Sequence, residues 1–61
     1  MAATRADVLE ALEMLWDKYP TMRLGQLITN VAVFARGPEG AEQVWDLEND
    51  ELLETIRKHL G

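Results

Sequence analysis

Tyr19-Pro20 separates two helical patterns that almost touch. A residue before proline avoids the α region, and proline itself has no N–H to continue a helix. The segment WDKYPTMRLGQLITNVAVF, Trp16 to Phe34, therefore reads as one amphipathic helix stopped at Tyr19 and a second capped by Thr21. A helix–turn–helix junction this tight fixes most of the architecture open to a chain of 61 residues.

The first helix is expected from about Arg5 to Lys18. Thr4 is a good N-cap, and Asp7 three residues on supplies the reciprocal acceptor of a capping box. Val8, Leu12, Leu15 and Tyr19 share one face, which Leu9 and Trp16 widen, while Glu10, Glu13 and Asp17 lie opposite. The second helix is expected from about Met22 to Arg36, closed by Gly37 with Pro38 behind it. Leu24, Leu27, Ile28, Val31 and Ala35 make its apolar face, flanked by Phe34 and Ala32. It is the most apolar of the helices and is expected at the centre. Gly25 costs about 1 kcal/mol against alanine in a helix interior. Either the backbone comes close to a neighbour there, or the glycine is tolerated because the end frays. Gly37-Pro38-Glu39-Gly40 is the clearest loop. Residues 41–48 are expected to be irregular or one short extended piece with Trp45 and Leu47 turned inward. A third helix runs from Asp50 or Glu51 to Leu60, capped by Asn49 or Asp50, with Leu52, Leu53, Ile56 and Leu60 as its buried stripe. Glu54 and Lys58 form an i, i+4 pair. The expectation is one all-α, three-helix domain over residues 1–61.

A chain this short buries only about 60% of its unfolded surface, so apolar packing must suffice or self-association must help. At 48% hydrophobic and 28% charged the chain is suited to a small folded domain and not to disorder. There is no cysteine, which excludes disulfides and thiolate metal sites, and one histidine, His59, cannot close a zinc site alone. A net charge of −5 repels phosphate backbones. No apolar run reaches the length of a membrane span, and the opening residues lack the layout of a signal peptide, so a cytoplasmic location is expected.

Few groups point to chemistry. Asp46, Glu48 and Asp50 imitate the start of a calcium loop, but Glu51 stands where the glycine is required and Arg57 where the last carboxylate is. An acid-rich helix start explains them better. The chain has no serine, no glycine-rich phosphate loop and no nucleophile placed beside His59, so no enzyme, cofactor, metal or small-molecule substrate is expected. Two binding readings stay open. Arg23, Gln26, Thr29 and Asn30 on the polar side of the second helix suit a groove-reading helix, with only Lys18, Arg23 and Arg36 to meet phosphates. The preferred reading is a protein-interaction or regulatory module. Val33 falls on the polar face with Gln26 and Asn30, Met14 on the polar side of the first helix, and Trp45 beside a loop. Exposed together, such residues favour a protein partner or a homodimer.

Arg23 sits in a first turn, where the helix dipole disfavours a cation. It is expected to bridge to the end of the first helix or to the acids from Asp46 to Asp50. Gln26 and Asn30 are expected to bond the Trp45 segment, or with Arg23 to form the surface that meets a partner.

The residues Tyr19-Pro20-Thr21-Met22-Arg23-Leu24-Gly25-Gln26-Leu27-Ile28-Thr29-Asn30, then Trp45 and Asn49-Asp50-Glu51-Leu52-Leu53, resemble a group of small bacterial and phage-type proteins. Its members share an aromatic-Pro-x-x-Arg-Leu-Gly-Gln-Leu-Ile-x-Asn core and a later Asp-Glu-Leu-Leu run. The resemblance spans Trp16 to Leu53 and implies a bacterial or phage-like setting, but no activity. The loop from Gly37 to Gln43 is longer and richer in Gly and Pro than that group suggests.

Overall fold

The computed structural model describes residues 2–61, which form an all-α domain without strands among the described residues. Helix α1 spans Arg5–Lys18, α2 Leu24–Arg36, the 3-10 segment η1 Pro38–Asp46 and α3 Asn49–Leu60. The three expected α-helices are present. Residues 41–46 differ from expectation, since they continue the 3-10 turns of η1 with a kink at Gln43, while Leu47 and Glu48 are extended.

Local chemistry sets the limits of α1. Thr4 accepts from the Asp7 N–H at 3.1 Å, and the Asp7 carboxylate accepts from the Thr4 N–H at 3.1 Å, so the capping box is complete. Hydrogen bonds from Thr4, its backbone N–H first and then its hydroxyl, hold the Asp7 carboxyl below its usual value. At the other end the Tyr19 N–H is shared between the carbonyls of Leu15 and Trp16, each at 3.1 Å.

Helix α2 begins two residues later than expected. The Met22 N–H closes a turn onto the Tyr19 carbonyl, and the Met22 carbonyl accepts from the Trp16 indole at 2.7 Å. Arg23, extended at φ −79°, ψ 154°, becomes the N-cap, and the Gln26 side-chain oxygen accepts from its N–H at 2.9 Å. Thr21 has no capping role. Helix α3 likewise begins one residue early, at Asn49, with Glu48 as its N-cap. Asp50, a suggested cap, instead accepts from the Ala3 N–H.

That contact joins the start of α1 to the start of α3, while Lys18 Nζ donates to the His59 carbonyl at 2.8 Å. The two helices thus run in the same direction, tied at both ends. Helix α3 packs on both α1 and α2, whereas α2 meets α3 and η1 far more than α1, so the central helix is α3 and not α2 as expected. Val8, Ala11, Leu15, Leu27, Val31, Leu53 and Ile56 form one buried cluster, with Leu12, Met22, Leu52 and Leu60 packed against it.

The glycine that matters is Gly40. A Cβ there would fall 2.0 Å from the Ala32 carbonyl oxygen, so only glycine lets η1 reach the backbone of α2. Gly25 has open space around it, and its neighbours make no close approach. Gly37 ends α2 at φ 79°, a left-handed angle that favours glycine, and its N–H donates to the Val33 carbonyl at 2.7 Å.

Candidate interaction face at the helical junction

The expected core face of α1 is too wide for its neighbours to cover. Val8, Ala11 and Leu15 are buried, but Leu9 is 59% exposed, Trp16 37% and Tyr19 42%. Trp16 was expected inside. Its ring lies instead at the surface, held by the indole hydrogen bond to Met22. Leu9, half-buried Leu12, Trp16 and Tyr19 follow a 3-4-3 spacing and make one stripe along the helix.

Tyr19 carries this stripe into a groove of about 190 Å3 at the junction. Buried Leu15 and Leu27 form the floor, and Tyr19, Met22, Asn30 and Phe34 form the rim. Phe34, 52% exposed, stacks on the His59 ring with centroids 3.9 Å apart and planes at 14°. His59 Nδ1 lies 3.0 Å from the Thr55 carbonyl. A carbonyl only accepts, so Nδ1 carries the proton in this pair. Lys18 Nζ lies 5.7 Å from the Tyr19 ring centre, within cation–π range. The groove takes one large side chain and falls below the roughly 300–1,000 Å3 of sites that enclose small molecules. A broader depression of about 610 Å3 is lined by Asp50, Leu53, Glu54, Arg57 and Lys58. All five belong to α3, so it has no opposing wall.

Beside the apolar stripe runs a second one. The first three residues of the stripe are each followed by an acid, giving Leu9-Glu10, Leu12-Glu13 and Trp16-Asp17. Glu10, Glu13 and Asp17 share the helical spacing and enter no ion pair among the described residues. Like charges three and four apart each cost roughly 0.2–0.5 kcal/mol.

The expected site residues are not brought together. Gln26 and Asn30 line a shallow depression with Met22, Gly25 and Thr29. Gln26 caps its own helix, and Asn30 meets only the Met22 sulfur, at 3.9 Å. Neither reaches the Trp45 segment. Val33 is half-buried beside Gly40, and Trp45 is 84% exposed on η1 instead of turned inward. Leu47 is half-buried. Met14 is exposed on the other side of α1, near Arg57 and Leu60. The Arg23 side chain has no hydrogen bond or ion pair among the described residues, so the expected bridge is not made there.

Arg36 makes it. Its guanidinium grips Glu51 through two bonds, Nε to Oε2 at 2.8 Å and Nη2 to Oε1 at 2.9 Å. It also donates to the Asp46 carboxylate and carbonyl, each at 3.2 Å, and to Gln43 at 3.3 Å. The pairing with Glu51, then Asp46, raises the Arg36 pKa, and Arg36 holds the Glu51 carboxyl below its usual value. One signal for this node lay in the sequence: a last-turn arginine before a Gly-Pro turn, with acids 10 and 15 residues further on.

No known family, curated protein or solved structure matches the chain.

Proposed function

We propose that the protein is a non-enzymatic interaction module whose binding face is the α1 stripe and the junction groove. Large apolar side chains left in solvent carry this reading. Leu9, Met14, Trp16, Tyr19, Leu24, Phe34 and Trp45 are all exposed, against six large apolar side chains that are buried. A domain this small has little core to spare, and such faces mark partner sites. No nucleophile and base meet in the groove, and among the described residues no group of three or more acids and histidines is placed to hold a metal.

Nucleic-acid binding is the second reading, and the use of the cations disfavours it. Of the three basic residues near the junction, Arg36 is bound to Glu51 and Asp46 and Lys18 to a carbonyl, which leaves Arg23. A binder that uses phosphate contacts needs several such residues.

Affinity capture with the parent, Tyr19→Asp with Phe34→Asp, and Trp45→Asp tests the proposal. The expected result is a partner kept by the Trp45 variant and lost by the junction variant, with all three folded by circular dichroism. Salt-sensitive DNA binding that survives the junction changes and is lost in Arg23→Glu would overturn it.

A further inference from the structure

We infer that the α1 stripe docks a basic amphipathic helix, an inference that rests on the interaction reading above and names the partner's chemistry. Two rows on α1 define the complement. The apolar row, Leu9, Leu12, Trp16 and Tyr19, has the 3-4-3 spacing that meets an apolar helical seam. The acidic row, Glu10, Glu13 and Asp17, runs one residue behind it on the solvent side. A partner helix laid on the first row brings its flanking positions over the second. Lysine or arginine there meets three carboxylates that have no cation of their own among the described residues.

The other acids near α1 are already engaged or lie elsewhere. Asp7 closes the capping box with Thr4, and Asp50 holds the Ala3 N–H. Of the basic residues of α1, Lys18 is drawn to His59, and Arg5 lies at the far N-terminal end of the stripe. The row from Glu10 to Asp17 therefore presents a negative edge, with Arg57 of α3 beside its Glu10 end. The Trp16 ring is held in place by its bond to Met22, so the central contact is ordered before a partner arrives.

A second copy of this chain fits the stripe poorly. Leu9, Trp16 and Tyr19 leave about 300 Å2 of accessible surface, taking ~200 Å2 per large side chain, less than the about 800 Å2 per partner of a stable complex, so the charges beside the stripe decide between occupants. Pairing two copies also brings together molecules that each carry a charge of −5. An anionic membrane surface is repelled for the same reason. A basic helix reverses the sign of that term, and it can extend past Tyr19 to place one apolar side chain in the junction groove.

The test uses the full chain and three labelled synthetic peptides of about four helical turns, read by fluorescence anisotropy. One segregates leucine and lysine on opposite faces. The second has the same composition scrambled so that no face forms. The third is patterned like the first with glutamate for lysine. The segregated basic peptide is expected to bind at least tenfold more tightly than either other. That preference should shrink at least tenfold in Glu13→Lys with Asp17→Lys, and severalfold in Leu9→Ser, a change at an exposed side chain that leaves the fold intact by circular dichroism. Equal binding of the basic and scrambled peptides overturns the inference, as does an unchanged affinity in the charge-reversed variant. A parent that sediments as a dimer which the peptide does not dissociate assigns the stripe to a second copy instead. If the acidic or scrambled peptide binds as well and Leu9→Ser weakens it, the face is an interaction site but the partner class is wrong. If no peptide binds and the junction variants capture the same proteins as the parent, the interaction reading falls too.

Discussion

The two ends of α2 are built on opposite plans. At its C-terminal end, Arg36 joins α2, η1 and α3 through five hydrogen bonds, and Gly40 lets η1 press onto the backbone at Ala32. At its N-terminal end, Arg23 is a capping residue whose side chain has no partner among the described residues, Gly25 faces open space, and Leu24 is 44% exposed. One arginine is structural and the other is available. The closed end holds the fold, and the open end adjoins the groove and the apolar stripe. Low local constraint beside a binding face is the usual division of labour in a small domain.

Gly40→Ala is the strongest way to break this comparison. The added methyl meets backbone, which cannot turn aside, and overpacking of this kind costs about 1–3 kcal/mol or more. A chain this small has roughly 3–5 kcal/mol in all, so chemical denaturation should show a large loss or no folded baseline. If Gly40→Ala matches the parent, η1 is not docked on α2 as described.

Arg36→Gln comes next, and its signature is in acid. Glu51 titrates below its ordinary value in the folded protein because Arg36 holds it charged. Its contribution is therefore complete above the unfolded carboxylate value of about 4.3 and is lost as pH falls through the folded value. The parent should lose stability steeply on that limb, and Arg36→Gln should start lower and fall less. Some decline should persist in both, since Asp7 is lowered by its own cap with Thr4. Arg36→Lys should resemble the glutamine variant, because lysine cannot grip Glu51 at two points and reach Asp46 as well. Parallel acid limbs for parent and variant would remove Arg36 from the centre of the fold.

The open end should respond in the other direction. Gly25→Ala meets nothing within 4 Å and should gain stability, up to about 1 kcal/mol. A loss would mean that the α2 start is packed after all. The smallest effect belongs to Arg23→Glu. Exchange of an unpartnered cation for an anion at a helix N-terminus should be neutral or stabilising by about 0.3–1 kcal/mol. A loss comparable with that of Arg36→Gln would restore Arg23 to the bridging role and erase the contrast between the two ends.

Much of the secondary structure was legible because its signals act within one turn of helix. Thr4 with Asp7, the Tyr19-Pro20 stop, Gly37 with Pro38 and the Leu53-Ile56 stripe need only their neighbours, and α1 begins and ends where those signals say. The start of α2 was missed by two residues because the Trp16 indole, bonded to the Met22 carbonyl, ties the turn down ahead of an extended Arg23, a side-chain bond across the turn that no propensity records. The site was less legible. Arg23, Gln26, Asn30, Val33 and Trp45 carry the right chemistry for a surface, but the fold scatters them, and only Asn30 reaches the groove.

By itself the sequence determined that this chain makes three α-helices with an early break, no thiol chemistry and an acidic surface, since caps, breakers, periodicity and charge are properties of short segments. The tertiary structure decided which arginine meets the acids from Asp46 to Glu51, which glycine must be a glycine, and which side of α1 stays open. Those outcomes depend on what lies across the packing distance. Helix α1 has α3 along one flank and α2 only near its end, so a face wide enough for two neighbours is left partly bare. Arg36 rather than Arg23 stands opposite Glu51 because α2 brings its C-terminal end, not its start, to the beginning of α3.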